Sequence, residues 1–216
     1  MCGRYTLYDT DDVEKRFNVV VKKPIQPNYN VAPTQTMPVI RIVDGKRELE
    51  MMHWGIPRML GKDLVKEIFN TRSDKAFGSF WKKQVTQQRI LIPANAFYEW
   101  KKDKSSKIPF LIELPDAELY AFAGIWNSWK DKDGKEFNAY SIMTTEPNGE
   151  MKKIHDRMPV ILHKEDEELW LDDNLSDEQI AELLLTPEDN YLTMFEVSTD
   201  VNSVRNNNKK LLQPLT

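Results

Sequence analysis

Cys2 is the residue of this sequence best suited to covalent chemistry, and it is the only cysteine among the 216 residues. Once Met1 is removed, Cys2 carries a free α-amine and a thiol on adjacent carbons. Such an amine has a pKa of about 8 and such a thiol about 8.5, so both are partly nucleophilic near neutral pH. The pair reacts with aldehydes: the amine condenses to an imine, and the thiol then adds to the imine carbon and closes a thiazolidine ring.

Five polar residues lie at the edges of otherwise apolar segments. Asn70 and Arg72 follow an apolar pair, and His155 and Arg157 come just before a β-rich run. Glu99 is flanked by aromatic residues, where a carboxylate is a poor choice for a purely structural strand. Each position, taken singly, also fits an ordinary role: an outward-facing edge charge for Glu99, a surface side chain for His155, and ion pairs for the arginines.

Composition and the missing motifs exclude several classes of function. The net charge of −4 and the pI of about 5.5 argue against a protein that coats nucleic acid by bulk charge, but they allow a local basic groove. The three histidines come without a CxxC or HExxH pattern, which argues against a zinc site. There is no P-loop and no GxGxxG, so we expect no nucleotide cofactor and no other cofactor.

The sequence also predicts where the protein resides. No apolar run approaches the roughly 20 residues of a membrane helix, and the first residues lack the charged and apolar regions of a signal peptide. A single cysteine rules out an internal disulfide, which fits a reducing compartment. We therefore expect a cytoplasmic or nucleoid-associated protein that has no membrane partner and is a monomer.

Short β-rich segments dominate the pattern. Segments 39–43 and 47–53 flank the turn dipeptide Asp44-Gly45 and predict a hairpin. Further strands are predicted at 3–7, 90–93, 96–100, 109–114, 119–126, 137–143, 160–162 and 194–197. Many short strands with a few helices outside them predict one α+β domain spanning residues 1–216.

Helices and loops are predicted between these strands. Helices are expected from a cap at residues 9–12 to about 17, from Ser73 to about 87, from about 148 to 154, at 164–171 and at 176–185. The proline-rich segment 24–38 and residues 69–72 are predicted to be loops. Residues from about 205 to 216 form a polar C-terminal tail.

A series of short motifs gives this sequence a family resemblance. The motifs are Cys2-Gly3-Arg4-Tyr5, Tyr29-Asn30-Val31-Ala32-Pro33-Thr34, Trp54-Gly55-Ile56-Pro57, Asn70-Thr71-Arg72-Ser73, Ile92-Pro93-Ala94, Phe97-Tyr98-Glu99-Trp100, Phe122-Ala123-Gly124-Ile125-Trp126, Thr144-Thr145, His155-Asp156-Arg157-Met158-Pro159 and Val197-Ser198. In this order they resemble the SRAP family, the SOS-response-associated peptidase-like proteins that include abasic-site sensors. The departures are Thr71, where alanine is common, and Asn95-Ala96, where Asp-Gly is usual.

The resemblance implies a fold and a function. The fold is a single SRAP-like domain with a strongly twisted, mostly antiparallel and partly barrel-like β core and peripheral helices. Family members bind single-stranded DNA containing an abasic site, and the N-terminal cysteine traps the lesion aldehyde as a thiazolidine crosslink. The family is also described as having AP-lyase-type activity and as removing its own initiator methionine.

The resemblance also implies roles for individual residues. The catalytic set is Cys2, Asn70, Glu99 and His155. Glu99 and His155 are expected to share the proton transfers, and Asn70 to hold the amine or a sugar hydroxyl. The DNA-binding set is Arg4, Pro33, Trp54, Arg72, Trp100, Thr144 and Arg157. Its arginines are expected to grip phosphates, and Trp54, Pro33 and neighbouring aromatics to stack on bases or wedge beside the gap.

Two other functions remain open at this point. A thiol peptidase acting on other proteins would use Cys2 as nucleophile, His155 as base, and Asn70 or Glu99 to orient it. A non-catalytic single-strand-binding module would not need Cys2 at all. Acetylation of the N-terminus separates the peptidase from thiazolidine chemistry, and Cys2→Ala separates the binding module from both.

Overall fold

The computed structural model describes residues 2–60, 63–103, 105–115, 119–131 and 133–215, with residues 59, 60 and 63–65 described by their backbone alone. The strands in these ranges are β1 (Tyr5–Leu7), β2 (Asn28–Val31), β3 (Thr36–Val43), β4 (Lys46–Trp54), β5 (Ile56–Leu60), β6 (Asp63–Ile68), β7 (Asn70–Arg72), β8 (Arg89–Ala94), β9 (Ala96–Asp103), β10 (Ser106–Glu113), β11 (Tyr120–Lys130), β12 (Glu136–Thr145), β13 (Met158–Pro159), β14 (Ile161–Leu162) and β15 (Thr193–Glu196).

Helices are few and short. The α-helices of the described ranges are α1 (Val13–Phe17), α2 (Lys82–Gln87), α3 (Glu167–Trp170) and α4 (Asp177–Leu183). Single 3₁₀ turns are Ser73–Lys75, Met151–Lys153, Lys164–Asp166, Thr199–Asn202 and Lys209–Leu212. Within this part of the chain, no helix combines the length and the apolar character needed to cross a membrane.

Five strands close into a small barrel. Along the ring, β12 pairs with β4, β4 with β3, β3 with β8, β8 with β11, and β11 again with β12. The β12–β4 pairing is parallel, with Tyr140 opposite Trp54, whereas the other four pairings are antiparallel. The predicted α+β class, with a mostly antiparallel and partly barrel-like core, is confirmed.

A second, antiparallel sheet carries the N-terminal segment. Its strand order is β15-β10-β9-β1-β2. In the β1–β9 pairing Tyr5 lies opposite Phe97, and the Tyr98 amide donates to the Arg4 carbonyl at 2.9 Å. The same antiparallel register, continued by two residues, brings the start of the chain alongside Glu99.

Aromatic side chains join the two sheets. The Trp54 and Tyr140 rings are stacked with their centroids 6.2 Å apart, and the Trp54 and Tyr5 rings form an edge-to-face pair with centroids 5.2 Å apart. The Tyr5 and Tyr140 hydroxyls are hydrogen-bonded at 2.9 Å, and the Trp54 indole N–H donates to the Phe69 carbonyl. These large, fully buried rings with satisfied polar atoms form the central part of the core.

The predicted hairpin at Asp44-Gly45 is confirmed. Both residues have positive φ, 49° and 74°, as a two-residue type I′ turn requires. The proline-rich segment 24–38, in contrast, is not a loop throughout, because it contains β2 and the start of β3. Proline disfavours a strand only at positions where the pairing needs a backbone N–H donor. The long pairing of β3 with β4 stabilises the strand despite the local preference of proline for a loop.

The predictions for residues 69–87 and 148–154 were wrong in part. Residues 70–72 form β7, which pairs in parallel with β12. The chain then makes one 3₁₀ turn and forms α2 only from Lys82. Phe80 is 55% exposed whereas Trp81 is buried, so the apolar positions do not share one helix face. Residues 148–154 contain only the 3₁₀ turn Met151–Lys153.

The segment predicted to be a polar tail packs against the second sheet. Leu211 is buried, and its carbonyl accepts from the Tyr98 hydroxyl at 3.4 Å. The buried Asn30 amide nitrogen approaches the carbonyls of Val201, Ser203 and Asn206 at 3.3, 3.0 and 2.8 Å. One asparagine of β2 thus fastens the C-terminal segment beside the N-terminal one.

We expect Asn30→Ala to lower the free energy of unfolding by about 1–3 kcal/mol, because the carbonyl of buried Val201 and the partly buried carbonyl contacts of Ser203 and Asn206 lose their donor. It should also speed proteolysis within residues 200–215. Denaturant unfolding and limited proteolysis measure both effects. Gln87→Ala, which removes an exposed amide, is the matched control and should change the stability by less than about 0.5 kcal/mol. Equal stability of the two variants would contradict this role for Asn30.

Candidate functional site

Cys2 is fully buried where the chain enters β1. Its carbonyl accepts a hydrogen bond of 2.8 Å from the Asn70 side-chain nitrogen. Its sulfur lies 3.8 Å from the Arg4 carbonyl. The pairing of β1 with β9 and the amide of Asn70 therefore hold the Cys2 backbone from two sides.

The environment keeps the Cys2 thiol protonated. Burial raises the pKa of the thiol far above its ordinary value, and the nearby Glu99 carboxylate raises it further. A thiol in such a place is a poor nucleophile until a base accepts its proton. The expectation that the thiol is partly ionised at neutral pH is therefore wrong for the folded protein.

Glu99 and His155 approach each other next to Cys2. The Glu99 side chain on β9 is 3% exposed, and its Oε2 lies 4.0 Å from Nε2 of His155. The His155 side chain is 26% exposed, so the imidazole links the buried carboxylate to the surface. A buried carboxylate beside a partly exposed imidazole is an arrangement suited to moving protons.

The other ring nitrogen of His155 has two neighbours of opposite kind. Nδ1 lies 3.2 Å from the Arg157 amide and 2.9 Å from Asp156 Oδ1. An unprotonated Nδ1 accepts from the Arg157 N–H, whereas a protonated one donates to the Asp156 carboxylate. Nδ1 of His155 thus has a hydrogen-bond partner in either tautomer.

Asn70 presents an acceptor at the site. It begins β7, whose parallel pairing places Asn70 opposite Ile142 of β12. Its Oδ1 is buried and has no hydrogen-bond partner within the described residues. Buried acceptors are nearly always paired in native proteins, so this oxygen is available to a ligand hydroxyl or N–H group.

The Asp74 carboxylate links Arg72 and Arg157. Arg72, half-exposed, donates from Nε and Nη2 to Asp74 at 2.9 and 2.8 Å, and these bonds lower the pKa of Asp74. Arg157 is 5% exposed, donates to the Thr144 carbonyl at 2.8 Å, and pairs with Glu146. Its Nη2 also lies 3.7 Å from Asp74.

Arg4, Trp100 and Pro33 are half-buried near the start of the chain. Arg4 donates to Asn30 Oδ1 and to the Val201 carbonyl at 2.8 and 2.9 Å, and its guanidinium lies 5.9 Å from the Trp100 ring. The Trp100 indole N–H donates to Asn202 at 2.7 Å. All three remain candidates for contact with a ligand.

Two of the predicted DNA contacts do not fit the structure. Trp54 is fully buried between aromatic rings, so its side chain cannot stack on an exposed base. Thr144 is also fully buried, and its hydroxyl lies 3.5 Å from the Thr71 carbonyl. Both motifs have structural roles, since the Trp54 carbonyl accepts from the Thr34 amide and the Thr144 carbonyl from Arg157.

Two basic grooves meet the site. One, of about 750 Å³, is lined by Trp100, Lys101, Lys102, Glu146, Pro147, Lys152, Lys153, Ile154, His155 and Asp156. The other, of about 460 Å³, is lined by Arg58, Lys66, Ile68, Asn70, Thr71, Arg72, Lys75, Gly78, Ser79, Phe80 and Trp81. We call them the His155 groove and the Asn70 groove. Their lysines, arginines and aromatics suit a chain of phosphates and bases.

The match to a known family rests on nearly the whole chain. A family model described as SOS response associated peptidase (SRAP) matches residues 1–204. The chain belongs to the SRAP family. The resemblance seen in the sequence motifs is thereby confirmed.

Several SRAP relatives carry a functional name. The chain is 37% identical over 225 residues to "Abasic site processing protein YoqW" of Bacillus subtilis, covering 99% of each chain. It is 27% identical over 232 residues to "Abasic site processing protein YedK" of Escherichia coli, covering 100% of both. A crystal structure of a Bacteroides thetaiotaomicron protein matches with a TM-score of 0.89 at 26% identity, covering 100% of both chains.

The lysines of the His155 groove were not singled out in the sequence as candidate functional residues. A signal was present, because Lys101-Lys102 directly follows Glu99-Trp100 and Lys152-Lys153 comes just before His155. Lysines that neighbour the family motifs in the sequence also lie next to the site in the folded protein. Within the described residues no cluster of side chains suited to a metal ion is found.

We expect the Cys2 thiol to react with iodoacetamide about a hundredfold more slowly in the folded SRAP domain than in denaturant at pH 8.5, because only the unfolded thiol ionises there. As the only cysteine, it is the only residue that this assay reports on. Because the pKa of the thiol is raised in the folded state, its contribution to the free energy of unfolding is fully present below the ordinary thiol pKa. This contribution is lost as the pH rises above that value toward the folded-state pKa. Equal labelling rates in the two states would contradict a buried, neutral thiol.

Proposed function

We propose that this protein senses abasic sites in single-stranded DNA and traps them through Cys2 as a thiazolidine crosslink once Met1 is removed. The crosslink would protect the lesion during the DNA damage response. The observation that carries the proposal is the placement of Cys2 against Asn70 and Glu99, with His155 reaching from Glu99 to the surface. The names of the SRAP relatives, which process abasic sites, support it. Met1 itself lies outside the described residues.

The first step is imine formation. The neutral α-amine of Cys2 attacks the aldehyde carbon of the ring-opened deoxyribose, and the resulting carbinolamine loses water. This needs a base to keep the amine neutral and an acid to protonate the departing hydroxyl. Glu99 serves as the base, and His155, which is partly exposed, supplies the proton. Asn70 Oδ1 accepts a hydrogen bond from the amine or a sugar hydroxyl.

The second step is ring closure. The thiol sulfur adds to the imine carbon, the thiol proton is accepted by Glu99, and the imine nitrogen gains a proton. Because the thiol is neutral in the free protein, this step follows the amine attack and does not precede it. The whole sequence joins protein and DNA with the release of one water molecule.

The same residues account for the other activities that the family suggests. From the imine, removal of a sugar proton by Glu99 or His155 expels the 3′ phosphate, which is AP-lyase-type chemistry. Before maturation, the Cys2 thiol attacks the Met1 carbonyl with help from the same base. The Met1–Cys2 amide bond breaks to leave a thioester and a protonated Cys2 amine, and water then hydrolyses the thioester and releases methionine. Both reactions are proposals for this chain.

Single-stranded DNA would run through both grooves with the lesion between them. The Asn70 and His155 grooves supply basic side chains on either side of the reacting residues. Phe80, which is 55% exposed, and Trp100 offer rings for base stacking. Localised charge of this kind reconciles DNA binding with a net charge of −4.

The buried Cys2 argues against a thiol peptidase acting on other proteins. Such an enzyme must begin its reaction from the Cys2 thiolate, which burial and Glu99 both disfavour, whereas thiazolidine formation begins from the α-amine.

We expect a heat-stable band on a denaturing gel with single-stranded DNA carrying one abasic site, and none with intact DNA. Cys2→Ala and Cys2→Ser keep an α-amine but lack the ring-closing thiol, so they should give only a labile imine that borohydride traps. A stable band from Cys2→Ala would contradict the thiazolidine mechanism.

A blocked N-terminus provides the control for the amine. With Met1 attached, the Cys2 nitrogen is an amide whose lone pair is delocalised, so it cannot form an imine. Protein that carries an uncleavable N-terminal tag should bind abasic DNA without crosslinking, and intact mass spectrometry should show that the active protein lacks one methionine. Full crosslinking by protein that retains Met1 would refute the proposal.

We expect Glu99→Gln and His155→Ala each to slow crosslinking by about a hundredfold, the usual scale for loss of a general acid or base. Non-covalent binding should change far less. Glu113→Gln is the matched control, because it removes a half-buried carboxylate on the neighbouring strand β10. Single-turnover rates on the abasic oligonucleotide decide the matter. Rates equal to wild type in both site variants would remove these residues from the chemistry.

A further inference from the structure

We propose that Asp74 and Glu146 take the place of DNA phosphates in the free protein. Their carboxylates pair with Arg72 and Arg157 and must be displaced when a strand binds. The inference rests on the proposed function, since it concerns the phosphates that flank the lesion. It assigns a specificity-determining role to two acidic residues of a DNA-binding surface.

The contacts of Asp74 have the geometry of a bound phosphate. Two parallel hydrogen bonds, of 2.9 and 2.8 Å, join the Arg72 fork to the two carboxylate oxygens. This is the bidentate arrangement in which arginine also holds a phosphate. Oδ1 of Asp74 lies a further 3.7 Å from Arg157 Nη2, so one carboxylate spans two guanidinium groups.

Glu146 completes the chain of charges. Its carboxylate is 69% exposed and pairs with Nη1 of Arg157, whose own side chain is 6% exposed. The buried Nε of Arg157 has no hydrogen-bond partner among the described residues. The guanidinium is therefore held in place but not fully satisfied by the protein.

These residues connect the two basic grooves. Arg72 lines the Asn70 groove and Glu146 lines the His155 groove, while Asp74 and Arg157 bridge them. A strand that passes from one groove to the other must therefore cross the two carboxylates. Its phosphates would meet negative charge at the point where the lesion has to be placed.

Displacement of Asp74 is feasible because the pair is exposed. Arg72 and Asp74 are 49% and 43% exposed, and surface pairs of this kind are weak. When a phosphate binds to the Arg72 guanidinium, the net free energy gained is only the difference between its interaction and that of the carboxylate it replaces. Binding through the backbone alone is thereby weakened, so retention of a strand depends more on the covalent step at the lesion.

The test is non-covalent binding of an intact single-stranded oligonucleotide, followed by fluorescence anisotropy between 50 and 300 mM salt. Asp74→Asn should tighten binding by about threefold to tenfold at the lowest salt and steepen the log–log salt slope by about 0.7, the contribution of one phosphate. Glu146→Gln should act in the same direction. In an Arg72→Ala background the effect of Asp74→Asn should shrink, because the fork is gone.

Asp44→Asn is the matched control. It removes one exposed carboxylate from the β3–β4 turn, and asparagine tolerates the positive φ of that position. Its binding should equal that of wild type. If Asp74→Asn and Glu146→Gln bind like Asp44→Asn or more weakly, the inference is overturned.

Crosslinking of an abasic oligonucleotide by wild-type protein is measured in parallel. If wild type crosslinks but the two carboxylate variants bind like the control, only the inference fails. Wild-type protein that binds single-stranded DNA without crosslinking overturns the proposed chemistry and leaves the carboxylate result to be judged by affinity alone. Wild-type protein that binds no single-stranded DNA overturns both.

Discussion

The antiparallel pairing of β1 with β9 is the interaction on which the site depends. It buries Cys2 and Tyr5 in a part of the chain that is exposed in most proteins, and it brings Cys2 alongside Glu99. The Tyr98 amide, the Arg4 carbonyl and the Asn70 side chain then fix the backbone of this segment. The sheet thus holds this N-terminal segment as firmly as it holds a core residue.

Burial of this terminus has a chemical consequence. The thiol is stored in its neutral form, so in the proposed mechanism the amine reacts first and the thiol afterwards. In the same proposed mechanism, the Glu99 carboxylate that disfavours the thiolate is also the base that later accepts its proton. His155 lies between that carboxylate and the surface, and in the proposed mechanism it exchanges protons with solvent between steps.

The charged surface near the site combines basic grooves with carboxylates that pair with arginines between them. The protein is acidic overall, yet eight of its lysines and arginines line the His155 groove and the Asn70 groove. Between the grooves, carboxylates occupy the arginines. Under the proposed function, this arrangement moderates binding to undamaged strands and reserves lasting attachment for a lesion with an aldehyde.

The sequence by itself determined the family, the α+β class, the hairpin at Asp44-Gly45 and the residues around Cys2, because motifs and turn dipeptides carry local and family-specific information. Tertiary structure decided what each motif does. Trp54 became a core residue rather than a stacking platform, since aromatic rings from both sheets enclose it. Strand β7 formed where a loop was predicted, because β12 offered a partner. The protonation of the Cys2 thiol and the pairing of Arg72 with Asp74 depend on neighbours and solvent exclusion, which only the folded chain creates.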